Sequence, residues 1–139
     1  MYAGRPCGSI PHGAARIYDG CIENKTNETL VLTSASLDHG CWNDKGNVSY
    51  PPKKIRPGET GKFSVESCGV FTGIDASVTY MGGQSGDEMK LNAVVPFSGK
   101  YRESLRCVDS SQCPYGFTQE SQREQNDHVV STKWTVTPA

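Results

Sequence analysis

The chain has 139 residues, of which 35% are hydrophobic, and a formal net charge of −1. That length fits one domain of the commonest size, about 100–150 residues. The near-neutral balance excludes the global basic field expected of a nucleic-acid binder, and the low apolar fraction predicts a thin core with no transmembrane run.

Residues 1–16 are rich in Gly, Pro and Ala and carry no periodic apolar face. They read as a flexible arm pinned through Cys7, ahead of one domain over 17–139. No apolar leader region is present, so residues 1–139 read as a mature form. Beyond the arm the pattern has period two or is β-branched. It predicts strands over 15–22, 28–37, 61–66, 76–81, 88–97, 104–108 and 128–137. Turn-forming residues separate these runs: Asp44-Lys45-Gly46, Arg56-Pro57-Gly58, Gly82-Gly83 and Ser85-Gly86-Asp87. The polar, Gln/Ser-rich stretch 109–127 reads as a long loop. Lys53, Lys54 and Arg56 lie between prolines and read as a solvated loop rather than a phosphate site. With no helical stripe, the fold class is all-β: a disulfide-stapled antiparallel β-sandwich of about seven to eight strands.

Cys7, Cys21, Cys41, Cys68, Cys107 and Cys113 supply the missing stability. Their even count, the lack of a C-x-x-C pair and the scatter of the histidines point to bridges and not to a metal site. Each bridge contributes about 2–4 kcal/mol. Six cysteines allow 15 pairings; the short polar loop between Cys107 and Cys113 makes that bridge the first choice, and Cys7–Cys21 the second. Disulfides of this density place the protein outside the cytosol, secreted and extracellular. Sequons at Asn24, Asn27 and Asn47 agree with a glycosylating secretory route.

Catalytic chemistry finds little support. Asp38 and His39 are neighbours in a Leu-Asp-His-Gly turn and would face opposite ways on a strand. There is no G-x-S-x-G elbow, His12 lies in the arm, and His128 opens the last strand. Glu66 and Asp75 could act as an acid pair only if they faced one cleft, whereas Asp87 and Glu88 read as turn solvation. The expectation is therefore no catalytic residue, no cofactor and no metal, with a weak glycosidase as the alternative. Trp42, Tyr50, Phe71, Tyr80, Phe97, Tyr101, Tyr115 and Phe117 fall near strand ends or in loops. Some must fill the core, and rings with polar tips at the end of a sandwich also suit a lipid headgroup or sugar.

The order of motifs resembles a known family. Ile22-Glu23-Asn24 with Thr26 is followed by Leu37-Asp38-His39-Gly40, Pro51-Pro52, Ile55-Arg56-Pro57-Gly58 and Gly61-Lys62-Phe63. Thr72-Gly73 then precedes Ser77-Val78-Thr79-Tyr80, and Val95-Pro96-Phe97 closes the series. This order resembles the actinoporin and aegerolysin type of β-sandwich. The resemblance implies a non-enzymatic protein that recognises sphingolipid or phosphocholine headgroups at an outer leaflet. It implies Tyr80 and Pro96 as ligand-binding residues, with Phe97 and Tyr101 close by and Trp42 as a further candidate. Residues 1–16 cannot form the amphipathic helix of the pore-forming members, and Val94 stands where a small hydroxyl residue is expected. Glu23-Asn24-Lys25-Thr26 and Pro57-Gly58-Glu59-Thr60 also resemble a shortened thaumatin-like protein, which implies a wall-glucan binder. Small cysteine-rich sandwiches of this kind resemble fungal effectors and elicitors of plant defence. The partners so implied are a membrane lipid headgroup, a cell-wall glycan or a host surface receptor, and no nucleic acid.

Overall fold

The computed structural model describes residues 6–8, 14–43, 50–69 and 71–139. Ten strands follow in chain order: β1 (Ile17–Asn24), β2 (Leu30–His39), β3 (Cys41–Trp42), β4 (Lys54–Ile55), β5 (Thr60–Glu66), β6 (Ile74–Gly82), β7 (Glu88–Val95), β8 (Arg102–Cys107), β9 (Tyr115–Glu124) and β10 (Val129–Pro138). They form two five-stranded sheets, β3-β5-β1-β10-β9 (sheet A) and β4-β2-β6-β7-β8 (sheet B). The sandwich class expected from the alternating pattern is the one found. One pairing departs from the antiparallel expectation: β1 and β10 run parallel, Ile17 opposite Val129 through Asn24 opposite Val136.

All seven expected strands are present. The two-residue strands β3 and β4 are too short to carry a period. The stretch 109–127 is not a loop throughout, because it contains β9. Only Tyr115 and Phe117 mark the inner face of that strand with rings. Farther along, the inward position is Ser121, which is engaged in a polar network, so apolar alternation fades.

Alternation shapes sheet B. On β6, Ala76, Val78 and Tyr80 point inward, and on β7 so do Met89, Leu91, Ala93 and Val95, all buried. They pack on Tyr18, Ile22, Phe63, Val65, Val130, Trp134 and Val136 of sheet A. Gly20 is required on β1: a Cβ there would lie 2.5 Å from the Phe63 ring and 2.9 Å from that of Tyr18.

Three bridges join Cys7 to Cys21, Cys41 to Cys68 and Cys107 to Cys113. The two pairings favoured by spacing are both present. Cys7 is buried against the outer side of β1 and β10, its sulfur 3.1 Å from the Thr132 carbonyl oxygen.

A buried carboxylate fastens the opposite end from the loops described below. Glu28 Oε1 accepts from the backbone N–H groups of Gln84 and Ser85, each at 2.9 Å, and Oε2 from the Tyr115 hydroxyl at 3.1 Å. Burial opposes its ionisation, but the Ser85 and Gln84 N–H groups and the Tyr115 and Ser85 hydroxyls outweigh it. Its carboxyl therefore titrates below the ordinary value of 4.5. A carboxyl depressed in the folded state stabilises at pH above its unfolded value, and that stabilisation fades as pH falls through the folded value. Glu28→Gln is expected to lower the thermal midpoint at pH 7, and the gap to wild type is expected to shrink as pH drops below 4.5. Melting curves across that range check it; a gap independent of pH would contradict the assignment.

Candidate functional site

The strand ends gather several loops on one side of the sandwich. Residue Arg16 precedes β1, residues 67–73 join β5 to β6, and residues 96–101 join β7 to β8. The segment 67–73 is held by the Cys41–Cys68 bridge and by the Thr72 hydroxyl, which donates to the Cys68 and Gly69 carbonyls at 2.9 and 3.2 Å. Gly73 lets this segment press on the next loop. A Cβ at that position would lie 2.5 Å from Val95 O and 2.7 Å from Phe97 N.

This frame displays two aromatic rings to solvent. Phe71 is 76% exposed and Phe97 42% exposed, and they meet edge to face with centroids 5.2 Å apart. Phe71 adopts a left-handed backbone, φ 59°, a conformation that costs a side-chain-bearing residue on the order of 1–2 kcal/mol. A large ring held in that conformation and in water opposes both backbone preference and the hydrophobic effect. Beside it lies an open cleft of about 260 Å³ lined by His39, Phe71, Ile74, Val94, Pro96 and Phe97. Asp75 also lines it.

Arg16 locks the second ring in place. Its guanidinium lies 4.6 Å from the Phe97 ring centroid and donates to the carbonyls of Pro96 at 3.4 Å and Phe97 at 2.6 Å. The same group lies 3.5 Å from His128 Nε2. Backbone bonds through Ser67 tie Arg16 to the 67–73 segment, Ser67 N donating to Arg16 O at 2.9 Å. The arginine is thus a clamp between two loops, with both its hydrogen bonds and its cation–π contact spent on the protein itself.

The structure sorts the residues expected at the site. Pro96 and Phe97 line the cleft. Tyr101 stands at the same end, half-buried, with Arg123 5.1 Å from its ring centroid. Trp42 instead leans on the core, against Phe63 and Tyr50. Tyr80 is a correction: it is 1% exposed, its hydroxyl donates to Pro52 O at 2.6 Å, and burial followed by Tyr50 pushes its phenol up. It is a core residue with no surface to offer a ligand. Asn24 is a second correction. Its amide is buried and donates to the Glu28 and Ile55 carbonyls at 2.8 Å, so a glycan has no access. Asn27 is exposed, and Asn47 lies outside the described residues; His12 does too. Glu66 does not line the cleft that Asp75 lines, and one of its carboxylate oxygens is buried without a hydrogen bond. The acid pair a glycosidase needs is not assembled there.

In the sequence Phe71 stands only among the rings near strand ends and not as a ligand-binding residue, and Arg16 was missed. Phe71 sits among polar residues with no period, and Arg16 lies in a stretch read as a loose arm. Among the described residues no group of three His, Cys, Asp or Glu side chains is placed to hold a metal ion, and no helix is long and apolar enough to cross a membrane.

No protein-family model matches the chain, and no curated protein matches it in sequence. Solved structures do match in fold. The lipid binding protein Nakanori superposes with a TM-score of 0.69 at 11% identity, covering 89% of this chain and 72% of its own. IP-1A from Alcaligenes faecalis superposes with a TM-score of 0.66 at 15% identity, covering 89% and 91%. At these identities the likeness is one of fold.

Proposed function

We propose that this is a secreted, non-enzymatic recognition protein that binds membrane lipid headgroups from outside the cell through the Phe71–Phe97 cleft. The observation that carries the reading is the pair of solvent-exposed rings on a braced frame, one of them in a strained backbone conformation. Rings at this height suit the boundary between headgroups and acyl chains, where a flat apolar body meets water. Pro96 and Tyr101 extend the same end. The similarity to Nakanori, a lipid binding protein, supports this use of the sandwich, and three bridges support an oxidising compartment. Acting at a host surface, such a protein would serve as a fungal effector or elicitor, perceived through what it binds, with the exposed Asn27 as its carbohydrate acceptor.

Co-sedimentation with vesicles tests the reading. Wild type is expected to pellet with vesicles of phosphatidylcholine and sphingomyelin, and Phe71→Gly with Phe97→Ala to lose binding about tenfold or more. Glycine relieves the left-handed backbone at 71, so an unchanged melting midpoint would separate lost binding from lost folding. No sedimentation of wild type with any vesicle would end the proposal.

A further inference from the structure

Next to the aromatic cleft, the outer face of sheet B carries a cluster of positive charge. The even-numbered residues of β7 and β8 face outward there: Lys90, Asn92 and Val94 stand opposite Arg106, Ser104 and Arg102 in register. Lys90 and Arg106 are therefore directly opposed like charges, an arrangement that destabilises a sheet. No ion pair among the described residues relieves Lys90, Arg102 or Arg106. The two nearest acids are bonded to other partners. Glu103 points between the sheets, its oxygens accepting from Tyr18 at 2.8 Å and Thr132 at 2.8 Å, and Glu88, outward on β7 two residues before Lys90, accepts from Thr33 at 3.2 Å.

β8 is the edge of its sheet, and charged side chains of either sign protect an edge from pairing. Three cations of one sign, none of them in an ion pair among the described residues, do more than that: they make a field for an anion. The floor between them supplies donors, Asn92 and Ser104, in a trough of about 400 Å³ also lined by Arg102, Arg106 and Glu103, whose carboxylate is already bonded to Tyr18 and Thr132. Val94 lines both this trough and the aromatic cleft, so the cationic and apolar surfaces are continuous. Asp75 flanks the cleft on the far side of Val94, opposite that residue on β6, which leaves the β8 side as the anion's place.

We propose that Lys90, Arg102 and Arg106 form an anion site for the phosphate of negatively charged phospholipid headgroups, engaged while Phe71 and Phe97 rest in the same membrane. The proposal deepens the lipid-binding reading and rests on it. Charge complementarity selects a lipid with net negative charge over a zwitterionic one, whose own ammonium group would face these cations.

The test is sedimentation with vesicles of phosphatidylcholine alone and of phosphatidylcholine with phosphatidylserine, for wild type and the double variant Arg102→Gln, Arg106→Gln. Wild type is expected to bind the serine-containing vesicles about a hundredfold more tightly, with the advantage shrinking as salt is raised. Each cation near an anionic surface contributes a factor of about five, so the double variant is expected to lose about thirtyfold on these vesicles and nothing on phosphatidylcholine. Its melting midpoint is expected to hold or rise, because an opposed like-charge pair is gone. Equal wild-type binding to both vesicles, or a double variant that binds as wild type does, would overturn the anion site while leaving lipid binding intact. Failure on every vesicle would remove both. Inorganic phosphate alone is expected to leave the protein unshifted in heteronuclear spectra; saturable shifts at Arg102 and Arg106 would move the assignment from a membrane to a free phosphate compound.

Discussion

Reduction of the three bridges is expected to unfold the chain in the absence of denaturant. The bridges close loops spanning 14, 27 and 6 residues, and restriction of the unfolded chain by such loops is worth about 3, 3.5 and 2 kcal/mol. Their joint contribution rivals the whole stability of a typical domain, about 5–15 kcal/mol. Circular dichroism with and without a phosphine reductant at neutral pH reads this directly. A reduced chain that still melts cooperatively near the oxidised midpoint would show that the core suffices alone. Loss of the Cys41–Cys68 bridge by itself is expected to reach the candidate site first, since that bridge anchors the segment bearing Phe71.

The second large effect is expected at Glu103. Its carboxylate joins the edge strand of one sheet to the interior of the other, accepting from Tyr18 of β1 and Thr132 of β10 at 2.8 Å each, with Ser121 of β9 at 3.4 Å. Trp134 Nε1 completes the chain by donating to the Tyr18 hydroxyl at 3.2 Å. Burial, then the Glu103 charge, hold the Tyr18 phenol well above its ordinary value, so it stays a proton donor. Glu103→Ala strands the fully buried Tyr18 hydroxyl and leaves Thr132 only the Ser121 hydroxyl as acceptor, at a cost of about 2–4 kcal/mol. Glu103→Gln keeps the shape and is expected to lose less, about half. Urea denaturation of both variants measures it; an alanine variant as stable as wild type would mean that water replaces the carboxylate.

The legible and illegible parts of this molecule differ in physical kind. Alternation along β6 and β7 was clear because one face is apolar, and the structure shows Tyr80 on that face with Ala76 and Val78. Motif resemblance gave it a ligand role that its position on the strand denies. Pro96 and Phe97 were legible as an aromatic-proline step just past a strand end. Phe71 was not, because its importance lies in exposure and in a left-handed backbone, neither of which leaves a local pattern. Arg16 was hidden by distance: its hydrogen-bond partners are some 80 residues away in sequence. Asn24 carried a valid sequon and is nonetheless buried, because a strand end turns its amide onto two carbonyls.

The parallel pairing of β1 with β10 bears on how the protein is made. Within the sandwich the first strand to leave the ribosome has as its neighbour the last, and β10 lies in the interior of its sheet, between β1 and β9. Sheet A therefore stays open until β10 is made, while sheet B, drawn from the strands between, can close earlier. Non-local closure of this sort is slow, and the waiting half exposes strand edges to other nascent chains. Translocation into an oxidising lumen would let Cys41 and Cys68 bond before β10 arrives, holding the partly built sandwich together. Truncation within β10 would remove part of a central strand, and such chains are expected to be cleared by quality control.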